Sequence, residues 1–324
     1  MGRRSQLSGL VPYDMFDTER TTREVRAARS LERVYHAGQD KIWDGRQVLA
    51  DLKEKHGGIH LPPEKLEPLK RIMAIIFWGE LAAWKVSAEL ALQIEPLEAK
   101  MAATSQAHDE ARHFYVLHDY LAELGYTPGP LPGTAAEVLE RIVTADCLAK
   151  KLVGMQMMVE PIALTLFHMI REHRVEPVLA DLMRFYERDE ARHVALGVNY
   201  MPALLAKMSR RELLDYWVWE LGLVRLEIKG LRELEDDFRA LGFEPRKAFE
   251  LGQSKQMLAA KMLAEAMGHD LRMVSVFNRF SHGLVTYHFP DEPAPRSRRR
   301  RLVGALRAAL SPDVQTADAL VAAA

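Results

Sequence analysis

A five-residue sequence, Asp-Glu-Ala-Arg-His, occurs twice in this chain, at positions 109–113 and 189–193. In each copy the glutamate and the histidine stand three residues apart, so on a helix they share one face. A further glutamate precedes the glutamate of each copy by 30 residues, so the whole pattern repeats after 80 residues. The repeated acidic and imidazole side chains are Glu80, Glu110, His113, Glu160, Glu190 and His193.

The two upstream glutamates stand in apolar surroundings. Glu80 follows Ile-Ile-Phe-Trp-Gly, and Glu160 follows Met-Met-Val and precedes Pro-Ile-Ala-Leu. An ionised carboxylate in such a place costs several kcal/mol unless a cation or a strong donor compensates it. Four carboxylates and two neutral imidazoles carry a charge of about −4, which two divalent metal ions neutralise. Exposed charge clusters are the alternative, but they would leave two carboxylates on apolar helix faces.

The other charged residues of the repeat also have a predicted task. A ligating histidine usually donates its second N–H to a carboxylate, which fixes the orientation of the ring. Asp109 and Asp189 could accept these bonds across the bundle, with Arg112 and Arg192 holding the two aspartates. Solvated Asp–Arg pairs along each helix are the alternative interpretation.

Composition narrows the class of protein. Of the 324 residues 48% are hydrophobic and 27% charged, the net charge is −1, and Cys147 is the single cysteine. These values favour a globular protein of the cytoplasm, and they exclude internal disulfides and cysteine-rich metal sites. A near-zero charge gives no general attraction to nucleic acid. No export signal is convincing, and the apolar stretches 72–94 and 153–170 carry ionisable residues at their centres, which favours buried helices over membrane spans.

Long helices with short Pro- or Gly-containing breaks are predicted throughout the middle of the chain. We expect an all-α fold, a four-helix bundle with additional helices. The predicted helices span about 64–94, 97–124, 134–174 with a break near Gly154, 177–208, 211–241 and 245–267. The predicted domains are an N-terminal arm at 1–63, the bundle at 64–270, and a C-terminal extension with a basic tail at 271–324.

The repeat resembles the ligand pattern of the ferritin-like superfamily, and in particular of di-metal carboxylate oxidases and oxygenases related to the ribonucleotide reductase small subunit. The resemblance covers roughly residues 64–210. It implies that the six residues above bind two metal ions, Fe/Fe or Mn/Fe, with Glu110 and Glu190 bridging them. It further implies reductive activation of dioxygen, an external electron donor and a homodimer.

Departures from this family narrow the expected chemistry. The position of the reductase's radical tyrosine holds Leu117, so radical storage of that kind is not expected. The positions of the tyrosine–valine cross-link of the related ligand-binding oxidases hold Met155 and Ala83, so that cross-link cannot form. Arylamine N-oxygenases carry a third histidine where this chain has Tyr186, so a seventh ligand is not expected there.

Positions at which the two halves of the repeat differ are candidates for the substrate side. Gly197 stands where the other half has Leu117 and would leave room beside the site, and Pro161 should distort the helix next to Glu160. Tyr186 could relay an electron or a proton, and Trp84 could line a substrate pocket, although ordinary core packing is the alternative for both.

Arginines at 296 and 298–301 precede a short apolar helix. This run is either a solvated basic tail or a docking segment for an acidic partner, such as a carrier protein or an electron donor. A third interpretation is that this segment is a docking peptide of the kind that loads cargo into encapsulin shells. Nucleic-acid binding is the least favoured interpretation.

The main hypothesis is an enzyme that activates dioxygen to oxidise a small, apolar organic substrate. A ferroxidase or iron-handling protein, and a metal-bound scaffold without turnover, are the alternatives.

Overall fold

The computed structural model describes residues 25–267, 272–290 and 297–311, and every regular element in these ranges is a helix. The predicted all-α class is confirmed. The helices are α1 (Val25–Asp40), α2 (Gly45–His56), α3 (Pro63–Gln93), α4 (Leu97–Glu123), α5 (Gly133–Val143), α6 (Leu148–Leu152), a π-helix (Val153–Val159), α7 (Glu160–Glu172), α8 (Pro177–Leu205), α9 (Arg210–Glu233), α10 (Glu235–Ala240), α11 (Pro245–Met267), α12 (Arg272–His288) and α13 (Arg298–Leu310).

Four helices form the central bundle. α3 packs along α4, α7 packs along α8, and α4 contacts α8. Prolines stand at two of their starts: Pro63 and Pro177 lie in the first turns of α3 and α8, where the missing N–H costs no hydrogen bond. Gly125, with a φ of 64°, follows the end of α4. The short breaks after α3 and after α7 let α4 and α8 pack along the helices that precede them.

The core of the bundle consists of two apolar clusters with a polar layer between them. One cluster contains Leu90 of α3 and Met201 of α8, and the other contains Leu69 and Leu179 from the opposite halves of the same helices. The repeated glutamates and histidines lie between these two clusters along α3, α4, α7 and α8. The apolar clusters therefore hold the helices in register on both sides of the polar layer.

The predicted helix at 134–174 is corrected in two ways. It is interrupted at residues 144–147 rather than near Gly154, and it resumes as α6, the π-helix and α7. Gly154 lies inside the π-helix, where a Cβ atom would stand 2.8 Å from Ile142 and 3.0 Å from Trp219. This glycine therefore permits a close approach of neighbouring side chains and does not end a helix.

The predicted helix at 211–241 is likewise divided, into α9 and α10. Leu234 leaves the helical conformation with a φ of −101° and a ψ of 8°. After this turn, Asp237 of α10 accepts hydrogen bonds from the Arg71 guanidinium of α3, the shortest at 2.5 Å. The turn therefore joins α10 to the bundle.

The remaining helices cover two sides of the bundle. From the predicted arm, α1 and α2 lie across α4 and α8. Elsewhere α5 packs beside α3, and α11 packs beside α7 and α8. α9 packs against α5 and α11, α12 packs against α9 and α11, and α13 packs against α12. Arginines 298–301 begin α13, whereas Arg296 and the tail after residue 311 lie outside the described residues.

One helical stretch, Leu148–Glu172, is long and apolar enough to cross a membrane by length and composition alone. Its most apolar window is 67% buried inside the bundle. It contains Glu160, which lies in the polar layer. These features are those of a core helix, so no membrane span is indicated in the described part of the chain.

Candidate metal centre

Six ionisable side chains meet in the polar layer, and none is more than 5% exposed. They form two overlapping groups, in each of which the ligand atoms lie within 4.8 Å of one another. Glu110 and Glu190 belong to both groups, so each of these carboxylates faces both halves of the site. The first group is Glu80, Glu110, His113 and Glu190, and the second is Glu110, Glu160, Glu190 and His193.

Both histidines turn the same ring nitrogen towards the carboxylates. The Nδ1 atom of His113 lies 3.3 Å from Glu80 and 3.2 Å from Glu190. The Nδ1 atom of His193 lies 3.0 Å from both Glu110 and Glu190. Both imidazoles therefore present Nδ1 to the carboxylate cluster.

The other nitrogen of each histidine faces an aspartate from the opposite copy of the repeat. Nε2 of His113 lies 3.2 Å from Asp189, and Nε2 of His193 lies 3.4 Å from Asp109. The arginines cross in the same way, since Arg112 donates to Asp189 at 3.0 Å and Arg192 donates to Asp109 at 2.9 Å. Each arginine also bonds the aspartate of its own helix. These bonds tie α4 to α8 directly behind the imidazoles.

Burial and the charged neighbours move the pKa values of these groups in opposite directions. Burial, together with nearby carboxylates, raises the pKa of Glu80 and of Glu160 well above the usual value. For Glu110, burial is outweighed by the two histidines, which lower its pKa. Burial opposes the charged imidazoles, but the surrounding carboxylates outweigh it and raise the pKa of both histidines. The carboxylate cluster therefore attracts positive charge strongly.

The donor set fits two divalent cations. The Oε2 atoms of Glu110 and Glu160 are buried and accept no hydrogen bond from the described residues. A buried acceptor without a partner costs about 1–3 kcal/mol, and more when it is charged. Carboxylate oxygen and imidazole nitrogen are ligands that suit iron and manganese. One cation in each ligand group would neutralise the carboxylates. The cations would also supply the partner that the Oε2 atoms of Glu110 and Glu160 lack.

One residue that contacts this network was not predicted. Trp43, from the turn between α1 and α2, donates its indole N–H to Asp189 Oδ2 at 2.7 Å. Its ring lies 4.9 Å from the Arg112 guanidinium. Trp43 stands 146 residues before Asp189 and belongs to no motif, so its aromatic character within a charged arm was the one available signal.

The equivalent positions 106 and 186 of the two halves act differently. Gln106 donates to Glu110 at 3.0 Å and to Glu160 at 2.7 Å. The 80-residue offset pairs Gln106 with Tyr186, but the sequence predicted no role for Gln106. The hydroxyl of Tyr186 donates to the His113 carbonyl at 2.6 Å, and its ring stacks on that imidazole with centroids 4.2 Å apart. Gln106 therefore orients carboxylates, whereas Tyr186 orients a histidine.

A cavity of about 190 Å³ opens beside the carboxylates. Its wall is mostly apolar and comes from α3, α5, α7, α9, α10, α11 and the π-helix. The carboxylates of Glu80, Glu110, Glu160 and Glu190 lie in the same wall. An apolar molecule in this cavity would therefore lie next to the polar layer.

Trp84 does not line this cavity, contrary to the predicted pocket role. Its side chain is 39% exposed, and its ring lies 6.4 Å from that of Phe114. The lining face of α3 contains Ile76, Glu80 and Ala83. Because a helix turns 100° per residue, Trp84 lies beyond the edge of that face.

Gly197 does not leave free space either, as the sequence had suggested. A Cβ atom at this position would stand 3.0 Å from Gln156 and 3.2 Å from Met157. The space that Leu117 fills in the other half is therefore occupied here by the π-helix. Gly197 allows that helix to approach α8 closely.

The expected distortion next to Glu160 is present. The N–H of Glu160 donates to the carbonyl of Met155, five residues earlier, as in a π-helix. Pro161 follows directly and has no N–H to donate back along the helix. Met155, Val159 and Glu160 all line the cavity. The irregular backbone is therefore part of the cavity wall.

No family model matches the chain, and no curated protein matches it in sequence. The fold is similar to that of R2-like ligand-binding oxidases. A form with an Fe/Fe cofactor matches with a TM-score of 0.54 and 16% identity, over 81% of this chain and 99% of the other. A variant with an Mn/Fe cofactor matches with a TM-score of 0.53 and 17% identity, over 72% of this chain and 93% of the other. The likeness is one of fold. It confirms the ferritin-like bundle with additional helices.

Proposed function

We propose that this protein binds two metal ions, Fe/Fe or Mn/Fe, and uses them with dioxygen to oxidise or oxygenate a small apolar molecule. Glu80 and His113 would hold one ion and Glu160 and His193 the other, with Glu110 and Glu190 shared between them. The observation that carries the proposal is the pair of overlapping ligand groups beside an apolar cavity. The R2-like oxidases, which share the fold, hold Mn/Fe and Fe/Fe cofactors.

In this proposal the ions supply redox chemistry with dioxygen, and the chain's residues perform the remaining tasks. Asp109 and Asp189 hold the Nε2 protons of the histidines, so that each Nδ1 is free to bind metal. Gln106 orients the carboxylates of Glu110 and Glu160 through its amide N–H groups. The apolar wall excludes water from the region next to the ligands.

Several parts of this proposal concern partners. An external electron donor would reduce the ions, as the family resemblance implies. The arginines of α13 would suit an acidic partner. The single cysteine favours a location in the cytoplasm. The family resemblance favours a homodimer.

The test is metal content per chain after expression with iron and manganese. We expect about two ions in the wild type and a loss of both in a Glu110→Ala/Glu190→Ala variant, which removes the shared ligands. A Glu54→Ala/Glu64→Ala variant removes two exposed glutamates and is the matched control. Near-zero metal in the wild type would contradict the proposal.

A second measurement separates the proposed enzyme from its alternatives. Dioxygen consumption by the metal-loaded protein with a reductant is recorded with and without a panel of apolar small molecules. Substrate-dependent consumption supports the oxygenase or oxidase. Ferrous oxidation without substrate-dependent consumption supports an iron-handling protein. The absence of both reactions supports a metal-bound scaffold.

A further inference from the structure

The cavity wall formed by α9 and α11 contains one further carboxyl group, that of Glu227. Among the described residues its hydrogen-bond donor is the side-chain amide of Gln256, whose Nε2 lies 3.4 Å and 3.2 Å from its two oxygens. The same nitrogen also donates to the Met158 carbonyl at 3.1 Å. An amide nitrogen has two hydrogens, whereas a carboxylate has about four acceptor sites. Glu227 therefore keeps acceptor capacity for a ligand.

The other polar side chains on this part of the wall are already bonded within the protein. The Thr165 hydroxyl donates to a backbone carbonyl of its own helix at 2.9 Å. Thr134 donates to Glu233 at 2.6 Å. Gln253 donates to Asn278 at 2.9 Å. Apart from the proposed metal ligands, Glu227 with Gln256 is therefore the polar feature that a molecule in the cavity would meet.

The charge around Glu227 favours a cation. No lysine, arginine or histidine is among the described residues that line the cavity. Burial raises the pKa of Glu227 to about 7. Burial and then Glu227 itself raise the pKa of Glu220, two turns earlier on α9, to about 8, and the Oε2 atom of Glu220 has no hydrogen-bond partner. Positive charge that would compensate these carboxyl groups is absent from the wall.

The volume of the cavity is that of a small ligand. An engineered cavity of about 150 Å³ holds benzene, so a cavity of about 190 Å³ suits a ring with a short substituent. A hydrogen bond between an ammonium group and a carboxylate is roughly twice as strong as one between neutral groups. An alcohol of the same shape would make the weaker bond, and a carboxylate ligand would be repelled.

We propose that Glu227 and Gln256 recognise the substrate, and that this substrate is a small apolar amine whose ammonium nitrogen bonds Glu227. The proposal rests on the proposed function, because it takes the cavity beside the carboxylate cluster as the substrate pocket. Gln256 holds the Glu227 carboxyl in place, and the apolar wall contacts the body of the amine.

The test compares three ligands of nearly equal shape: benzylamine, benzyl alcohol and benzoate. Binding to the full-length, metal-loaded protein is measured by calorimetry at pH 8 without reductant, so that no turnover occurs. We expect benzylamine to bind about tenfold more tightly than benzyl alcohol, with benzoate weakest. In Glu227→Gln the affinity for benzylamine should fall about tenfold, while that for benzyl alcohol changes less than about threefold.

Two further variants complete the design. Glu250→Gln makes the same chemical change at an exposed position of α11 and should leave all three affinities unchanged. Glu227→Leu, whose side chain suits the apolar wall, should also lose the preference for the amine. It provides a second test if Glu227→Gln is unstable. Equal binding of amine and alcohol by the wild type, or an unchanged preference in Glu227→Gln, would overturn the proposal.

Metal content of every sample separates this inference from the proposed function. An amine preference that depends on Glu227 in a protein without metal supports amine recognition and contradicts the proposed function. Two bound metals without an amine preference overturn the amine proposal and leave the metal site intact.

Discussion

Replacing Trp43 with phenylalanine should destabilise the protein, mainly through the loss of one hydrogen bond at the outer edge of the candidate metal centre. The indole N–H donates to Asp189 Oδ2 at 2.7 Å, and the side chain is only 8% exposed. Phenylalanine would keep an aromatic ring beside Phe185, whose ring centroid lies 5.0 Å away. It would remove the donor and part of the ring volume.

The magnitude follows from these contacts. A hydrogen bond to a charged acceptor contributes about 1.5–3 kcal/mol, and the space left by the smaller ring costs about 1 kcal/mol more. Asp189 keeps donors from Arg112 and Arg192, so the lost bond should lie near the lower end of that range. We therefore expect Trp43→Phe to lower the free energy of unfolding by about 2–3 kcal/mol.

Urea denaturation followed by circular dichroism measures this change at matched metal content. Trp84→Phe is the control, because Trp84 is 39% exposed and stands outside the network. It should lower the free energy of unfolding by less than about 1 kcal/mol. Equal losses in the two variants would refute the reasoning, since they would show that ring size and not the bond to Asp189 sets the cost.

Three further outcomes are expected. Gly197→Ala should destabilise the protein by about 1–3 kcal/mol through overpacking, whereas Gly79→Ala, where a Cβ atom meets nothing within 4 Å, should be neutral or stabilising in thermal denaturation. Burial would raise the pKa of Asp181, but the bonds from Lys55 and His56 lower it to about 2, so this carboxylate stabilises the fold above about pH 4 and less as the pH falls to 2. Asp181→Asn should therefore lower the free energy of unfolding by about 2 kcal/mol at pH 6 and by little at pH 2. The control Asp236→Asn, at an exposed position, should change it little at either pH. Urea denaturation at each pH measures both variants. A chelator should lower the melting temperature of the wild type and leave that of the Glu110→Ala/Glu190→Ala variant unchanged.

The sequence was informative about the bundle because its signals are local. Prolines and glycines mark the ends of α3, α4 and α8, and apolar periodicity fixes the helical class. The 80-residue repeat then relates Glu80 to Glu160 across the two halves. Side chains on equivalent faces of paired helices must meet in a bundle, which is why the structure brings the six repeated side chains together.

What the sequence did not reveal depends on distant contacts or on backbone detail. The bond between Trp43 and Asp189 joins a turn to a helix 146 residues away, and no spacing rule connects them. The π-helix before Glu160 needs one extra residue in a turn, which apolar periodicity does not register. Gly197 looked like open space because the approach of Met157 cannot be read from residue size.

The differences between the halves also bear on how two ions would be held. The repeat gives both proposed sites the same donors, one histidine and three carboxylates each, so the ligands alone do not distinguish them. Their surroundings do. On the side of His193, Gln106 bonds Glu160 and the backbone is a π-helix, whereas on the side of His113, Tyr186 stacks on the imidazole and Trp43 bonds Asp189 behind it. Groups that orient ligands change metal affinity, so the two ions are expected to differ in affinity although their ligands are the same.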